Sequence, residues 1–233
     1  MSTPRLTSDL RREQILDAAR GCFARYGFAG TTTKSVAQAA GISEGLLFRH
    51  FPTKAALHAE ILAEACETDP EFHRLLELTP STATLVTLVR EMVAHFLRAT
   101  EAQDSEEAQR IRLLISSQLG DGEFARLLFG KIGALVGPVF SASLARAVAA
   151  GDAAAVEGKP LDLFWFAHQT VHMIALTRLP PEPTLAYPAP PDLERLACQF
   201  ILRGLGLTQA AIASHMDAAP SPSGTAGMIA ESA

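Results

Sequence analysis

Apolar residues recur every three or four positions along most of the chain, which is the spacing of one helix face. The first such stretch is Leu10–Tyr26, and Gly27 is placed to end it. Thr7, Ser8 or Asp9 can cap its start. Alternation of apolar and polar residues, the mark of half-buried strands, is scarce. The pattern therefore predicts an all-α fold.

Capping residues and breakers divide the chain into helices of different length. A short helix ends at Gly41, a second covers Glu44–Phe51 after the capping residue Ser43, and a long one covers Lys54–Thr68 after Thr53. Further helices are predicted over Phe72–Leu78, Thr84–Glu101, Glu106–Leu119, Glu123–Ala150, Leu161–Leu179 and Asp192–Leu205.

Breakers also fall inside and between the later helices. Gly137-Pro138 should kink or break the stretch that contains it. Residues 151–160 are predicted to form a loop, and the Pro-rich residues 180–191 a link between the last two helices. Gly133 and Gly137, four residues apart, favour a close approach of another helix.

Composition sets limits on the class of protein. The 233 residues are 48% hydrophobic and 19% charged, which provides for a sizeable core and excludes a wholly disordered chain. Uninterrupted runs of about 18 apolar residues are missing, so an ordinary membrane-spanning helix is not expected. Three widely spaced cysteines form neither a disulfide framework nor a metal-binding pair. We expect a cytoplasmic protein.

Charge is distributed unevenly along the chain. The net charge of −5 suggests at first that nucleic acid is not a partner. Residues 1–60, however, carry eight basic and five acidic side chains, whereas residues 61–233 carry 12 basic and 20 acidic ones. A basic segment on an acidic body is typical of an anion-facing module, although chance alone can produce such a difference.

Residues 33–51 have the spacing of a helix-turn-helix. Ala37 is the small residue needed where the two helices cross, Gly41 supplies the left-handed turn, and Leu47 faces back onto the first helix. In such a unit the second helix lies in the DNA major groove. Short helical hairpins with this spacing also occur in purely structural bundles, so the spacing alone leaves both roles open.

A second motif overlaps the turn. Gly41-Ile-Ser-Glu-Gly45 matches G-x-S-x-G, the nucleophile elbow of serine hydrolases. That motif needs a strand before the serine, and here the preceding residues are predicted to be helical. We therefore expect no catalytic residues and no enzyme.

The stretch Ile15–Leu57 resembles the DNA-binding domain of the TetR/AcrR family of bacterial transcription regulators. The resemblance runs without a gap and includes Ile15-Leu-Asp-Ala-Ala, the run from Phe23 to Gly41, and His50-Phe-Pro-Thr-Lys54. More weakly, the last two predicted helices, Leu161–Leu179 and Asp192–Leu205 with their Pro-rich link, are similar to the closing helix pair of the family.

The family commonly has Thr and Tyr where this chain has Leu47 and Phe48. Phe48 lacks the tyrosine hydroxyl, so a phosphate hydrogen bond of about 1 kcal/mol is missing. Leu47 is suited to packing rather than to a polar contact.

The resemblance implies a homodimer that binds a palindromic DNA operator, with one second helix of the motif in each half-site, and a body that binds a small-molecule effector. Effector binding would move the fourth helix and release the DNA. The implied layout is a DNA-binding domain over residues 1–53, a ligand-binding and dimerisation domain over 54–207, and a flexible tail over 208–233. No cofactor and no membrane partner is expected.

Several residues are then expected to contact DNA. Lys54, at a helix N-terminus, suits a phosphate, and Arg49 suits a phosphate or a guanine. Glu44 suits either a cytosine amino group or the dipole of its own helix. The expected DNA-binding residues are Thr33, Lys34, Ser43, Glu44, Gly45, Phe48, Arg49, His50 and Lys54.

The body offers candidates for a ligand pocket and a dimer interface. His168 and His172 share a helix face at a spacing that also suits metal ligands, but no third ligand is evident and no metal is expected. The candidate pocket residues are Met92, Phe96, Leu113, Phe124, Phe140, Trp165, His168 and His172. The candidate dimer residues are Phe164, Val171, Ile174, Leu193, Leu196, Phe200 and Ile201.

Two other functions remain open on the sequence alone. One is an all-helical metal-dependent sensor or enzyme that uses His168 and His172. The other is a partner-binding helical protein whose N-terminal domain no longer binds DNA.

Overall fold

The computed structural model describes residues 7–101 and 105–216, and within them it confirms the all-α prediction. The helices are α1 (Ser8–Gly30), α2 (Thr33–Ala39), α3 (Glu44–His50), α4 (Lys54–Thr68), α5 (Pro70–Leu76), α6 (Thr82–Arg98), α7 (Glu106–Leu119), α8 (Glu123–Ala149), α9 (Pro160–Leu176), α10 (Pro190–Gly204) and α11 (Gln209–Met216).

The predicted caps form at the start of the chain. The Thr7 hydroxyl accepts from the Leu10 N–H, and the Ser43 hydroxyl accepts from the Leu46 N–H. Thr32 and Ser35 satisfy one another's backbone N–H groups at the start of α2. Gly27 interrupts α1 with a φ of +67°, so the regular part of that helix ends where the sequence predicted.

Helices α1, α2 and α3 share one apolar core, to which α4 contributes. Leu47 is fully buried and packs with Ile15, Val36 and Leu57. Gly41, at a φ of +64°, reverses the chain between α2 and α3, and the Ile42 N–H donates to the Ala37 carbonyl across the turn. Ala37, Gly41 and Leu47 therefore take the positions in the helix-turn-helix that the spacing predicted.

Helix α4 joins this head, residues 7–53, to the body of the chain. Its Leu57 packs in the head core, whereas Ala59 and Leu62 pack with Phe124 and Leu128 of α8. The boundary drawn at residue 53 stays a prediction, because α4 contributes side chains to both cores.

Helix α8 is the central helix of the body and packs against α4, α6, α7 and α9. It continues through Pro138, so the expectation of a break is wrong. Pro138 and Ala134, one turn earlier, are both exposed, so the carbonyl that proline leaves without a donor faces water. Within residues 7–101 and 105–216, α8 is the one helix long and apolar enough to cross a membrane, and core helices of soluble proteins share that length and composition.

The glycine spacing in α8 does permit close packing. A Cβ at Gly133 would lie 3.0 Å from Cζ2 of Trp165, and one at Gly137 would lie 3.5 Å from Cδ1 of Leu161. Both neighbours belong to α9, which therefore lies close against this stripe of α8.

The C-terminal part of the body extends beyond the predicted boundary. Helix α11 buries Ala211 and Ile212 in the body, so a flexible tail over residues 208–216 is wrong. The Thr208 N–H donates to the Asp152 carbonyl, which ties the start of α11 to the 151–160 loop. Apolar burial outweighed the Ala- and Ser-rich composition here. The rest of the predicted tail, residues 217–233, lies outside the described residues.

Candidate nucleic-acid interface and ligand site

The outward side of α3 consists of exposed residues. Leu47 is buried, whereas Gly45, Phe48 and Arg49 are exposed, and Ser43 is exposed at the helix cap. The ring of Phe48 is 43% exposed, although burial would stabilise it. Glu44, which is also among the expected DNA-binding residues, is half-buried.

Glu44 is held inside the motif. Its Oε1 accepts a hydrogen bond of 2.5 Å from the Thr33 hydroxyl, which joins the start of α3 to the start of α2. Neither of the roles expected for Glu44, a cytosine contact or a helix-dipole charge, included this bond. The bond orients both side chains and fixes the two short helices relative to one another.

Lys54 also bonds within the head, and its expected phosphate contact stays a prediction. Its Nζ donates to the carbonyls of Phe28 at 2.8 Å and Thr31 at 3.0 Å, and it lies 4.3 Å from the centre of the Phe28 ring. The lysine thus satisfies the carbonyls that the end of α1 leaves without donors. Its role in this structure is to fix α4 against α1.

Other cations of the head fall into two groups. Arg12 pairs with Glu60, and Arg20 pairs with Asp17 and Glu64, so these guanidinium groups stabilise the joint between α1 and α4. Lys34 and Arg49 are exposed and have no hydrogen bond or ion pair within the described residues, and half-buried His50 follows Arg49. These side chains stay free to meet an anion from outside.

Ser43 has a structural role that excludes the hydrolase alternative at this motif. Its hydroxyl caps α3 by accepting from the Leu46 N–H at 3.2 Å. The segment before it is α2 and the turn at Gly41, and a nucleophile elbow needs a strand there.

The candidate pocket residues separate into two places. Phe96 lies beside both histidines, with its ring centre 5.0 Å from His168 and 5.5 Å from His172. Phe129 of α8, which the sequence prediction missed, lies 5.4 Å from His168. The histidine cluster, as we call it, consists of Phe96, Phe129, Phe164, Trp165, His168 and His172. Phe140 borders it through Phe164, and Met92 is half-buried against the same core.

Phe124 and Leu113 were wrongly placed in that pocket. Phe124 lies at the junction of head and body, with its ring centre 6.0 Å from Phe28 and 5.2 Å from His58, and Leu113 packs against the same junction core. Helical spacing could not show this, because Phe124 and Phe129 lie on the same helix but reach different cores.

Burial keeps His168 and His172 neutral. It lowers the pKa of His168 to about 3, with further lowering by the nearby charges of His172 and His95. Burial also lowers the pKa of His172. At the junction, burial and the charges of Arg110 and Lys54 lower the pKa of His58 to about 4.

A metal site is not supported by the described part of the chain. Within residues 7–101 and 105–216, no group of three His, Cys, Asp or Glu side chains is arranged to hold a metal ion. The ring centres of His168 and His172 lie 5.8 Å apart, and aromatic rings surround them. The metal-dependent alternative therefore has no third ligand here.

The predicted dimer residues also separate into two groups. Four of them, Phe164, Val171, Leu193 and Ile201, are buried within the core of the subunit and cannot face a partner, which corrects the prediction. Ile174 is half-buried. Leu196 and Phe200 are 50% and 65% exposed, and Phe166 and Met173 of α9 are exposed as well.

Comparison with known proteins agrees with this geometry. Residues 15–61 match the model of the bacterial regulatory proteins of the tetR family. The HTH-type transcriptional repressor Rv1474c of Mycobacterium tuberculosis is 34% identical over 127 residues, which are 53% of this chain and 60% of that protein. The repressor AcnR of Corynebacterium diphtheriae is 34% identical over 86 residues, which are 37% of this chain and 42% of that protein.

The chain thus matches less than two thirds of the length of either relative. A solved structure, RolR in complex with the ligand resorcinol, covers 91% of this chain and 96% of its own, with a TM-score of 0.60 and 16% identity, and shows a shared fold. The matched model covers α1 to α3 and the first half of α4, the segment that contains the helix-turn-helix. Residues 15–61, which contain the helix-turn-helix, thus match the tetR family of bacterial regulatory proteins.

Proposed function

We propose that this chain is a transcriptional repressor that binds a palindromic DNA operator as a homodimer and is released by a small-molecule effector. One observation carries the DNA-binding part of the proposal. The outward face of α3, with Gly45, Phe48 and Arg49, is exposed, while Leu47 on the opposite face fixes the helix to the head. Such a face is what a helix in the major groove presents to base edges. A cytoplasmic location belongs to the same proposal.

Charge supports two different roles for the head cations. Arg49 lies on the outward face, where a guanidinium can bond to O6 and N7 of guanine. Lys34 is exposed on α2 and suits a phosphate. Lys54 acts indirectly, because its ammonium is already bonded to the carbonyls of Phe28 and Thr31.

A mobility-shift titration on DNA from upstream of the protein's own gene tests the interface. Arg49→Ala should lose about 1–3 kcal/mol of binding free energy, whereas Arg126→Ala, an exposed arginine of α8, should bind as the parent chain does. Lys34→Ala should reduce the salt slope by about 1. Absence of binding at low salt by a folded protein, or equal affinities of the two arginine variants, would contradict the proposal.

An exposed apolar face supports the homodimer. Phe166 and Met173 on α9 are 70% and 52% exposed, and Leu196 and Phe200 on the adjoining α10 are 50% and 65% exposed. Large apolar side chains gathered on one face mark an interaction surface. A second copy is the proposed occupant, because a two-fold axis places the same apolar patch opposite itself and matches the symmetry of a palindrome.

Light scattering with size-exclusion chromatography tests the dimer. Phe200→Glu should give a monomer, because two buried carboxylates would face one another across the axis. Leu185→Glu, which changes a 51% exposed leucine outside the helices, should leave the dimer intact. If both variants form dimers of equal stability, the dimer interface does not include Phe200.

The contacts between α4 and α8 provide a route from the body to the head. The Thr53 hydroxyl donates to Glu123 Oε1 at 2.9 Å, and Lys131 pairs with Glu60 at 2.6 Å. Helix α8 also carries Phe129 of the histidine cluster, so a ligand that shifts α8 would pull on α4. That RolR is described with resorcinol supports a small-molecule effector in this fold.

A further inference from the structure

The histidine cluster contains buried polar atoms without partners. Within the described residues, Nδ1 of His168 and both ring nitrogens of His172 have no hydrogen bond. His172 is fully buried and His168 is 8% exposed. A buried polar group left unpaired costs about 1–3 kcal/mol, and most such groups are paired. Two adjacent imidazoles in this condition point to a binding partner.

The surroundings of these nitrogens are aromatic. Phe96 of α6 and Phe129 of α8 lie within 5.5 Å of His168, centre to centre, and Trp165 lies 5.3 Å from it on the same helix. All three rings meet the His168 ring edge to face, so the cluster presents both ring faces and ring edges to the interior. A flat ring is the shape that stacks among them.

The neutral state of the cluster favours an uncharged ligand. Burial lowers the pKa of both histidines, so each ring is neutral near pH 7 and offers one donor and one acceptor. The six residues of the cluster include no carboxylate, ammonium or guanidinium. An ionic ligand would therefore lose its hydration without gaining a counter-charge.

A groove lies at the C-terminal end of α9, one helical turn beyond His172. Leu176 follows His172 by four residues, which places the two side chains on the same helix face. Leu176 lines a groove of about 420 Å³ between α7 and α9, together with Arg112, Ile115, Ser116, Leu119 and Gly120. A small ring entering by this groove would meet the histidines one helical turn inside.

We propose that the effector is an uncharged aromatic molecule that carries a hydrogen-bond donor and an acceptor and binds to His168 and His172. This inference rests on the proposed function, because it assigns the chemical class of the effector to a place in the body. It requires the cluster to open by the displacement of one ring, since the rings are now in contact.

Trp165 provides the measurement, because it is the one tryptophan of the chain and belongs to the cluster. Its fluorescence would be followed during titration with three probes that share a 4-hydroxyphenyl ring and carry a second substituent of different charge: 4-hydroxybenzamide (neutral), 4-hydroxybenzoate (anion) and 4-hydroxybenzylamine (cation). The neutral amide should give a saturable change at millimolar concentration and bind at least about tenfold more tightly than either ion.

Variants then test the histidines. His172→Phe should remain folded, because it replaces unpaired nitrogens by apolar surface, and should weaken amide binding by about tenfold or more. His172→Gln, which keeps a donor and an acceptor, should restore part of the affinity. His73→Phe is the matched control, since His73 is 58% exposed on α5 and should leave binding unchanged.

Three outcomes would overturn the inference: equal or tighter binding of an ion, unchanged amide binding by a folded His172→Phe, or no saturable change with any probe. The titration contains no DNA, so its failure leaves the mobility-shift test of Arg49 unaffected. Failure of DNA binding would likewise leave a fluorescence result intact.

Discussion

Acidification should destabilise this protein through its buried histidines. His168 and His58 are neutral in the folded chain, with pKa values of about 3 and about 4, whereas the ordinary value is 6.5. Below pH 6.5 these two imidazoles are therefore protonated in the unfolded chain but stay neutral in the folded chain. Stability is complete above that pH and falls as the pH drops toward the folded-state values.

The size of the loss follows from the shifts. Each pKa unit is worth about 1.4 kcal/mol, and a pH of about 5 lies about 1.5 units below the unfolded-state value. Each of the two imidazoles should then contribute a loss of about 2 kcal/mol, and the pair about 4 kcal/mol. His172, whose pKa is also lowered, adds in the same direction. Such a loss is a large fraction of the stability of a typical domain.

Urea unfolding at about pH 7 and about pH 5 measures this loss. On acidification, the free energy of unfolding of His168→Phe should fall by about 2 kcal/mol less than that of the parent chain, because the variant lacks one of the imidazoles that stay neutral in the folded state. Leu10→Phe, which changes an exposed side chain that does not titrate, should lose as much as the parent chain. Equal losses for the parent chain and His168→Phe would refute the assignment of the acid sensitivity to this imidazole.

Glycine substitutions test the packing of the body. Gly206→Ala should lose more than about 2 kcal/mol of unfolding free energy, because the φ of Gly206 is +91° and the new Cβ would lie 2.3 Å from the Ala154 carbonyl oxygen. Chemical denaturation measures this loss, with Gly204→Ala, whose Cβ would meet open space, as the control. Gly130→Ala should raise the unfolding free energy by about 0.5–1 kcal/mol, because alanine has the higher helix propensity and its Cβ meets open space. Gly133→Ala should not show this increase, because its Cβ would press against the Trp165 ring. Equal unfolding free energies of the two variants would contradict the close packing.

Truncation of Leu47 tests the head core in the same way. Leu47→Ala should lose about 2–5 kcal/mol of unfolding free energy, because Leu47 is fully buried, whereas Leu10→Ala, which removes a 51% exposed side chain, should lose little.

Local chemistry made the head predictable. The capping hydroxyls, the left-handed Gly41 and the spacing of Ala37 and Leu47 act within a few residues of one another, so the order of residues fixes them. The roles of Lys54 and Glu44 were less accessible. Lys54 reaches carbonyls 23 and 26 positions earlier in the chain, and no local pattern indicates such a bond.

The body was less predictable, because helical periodicity shows which face is apolar but not what covers it. Phe164 and Leu196 were both predicted to face a partner, yet the first is buried within the subunit and the second is exposed. Phe129 was missed and Phe124 misplaced for the same reason.

By itself, the sequence determined the helices of the head, the helix-turn-helix and the resemblance of residues 15–57 to the TetR/AcrR family, since these depend on short-range spacing and on side chains that act near their own position. Only the tertiary structure decided which cation faces outward, which aromatic rings surround His168 and His172, and which apolar side chains remain exposed. Those properties depend on the burial and pairing of groups far apart in the chain, and burial, through desolvation, is also what keeps the two histidines neutral.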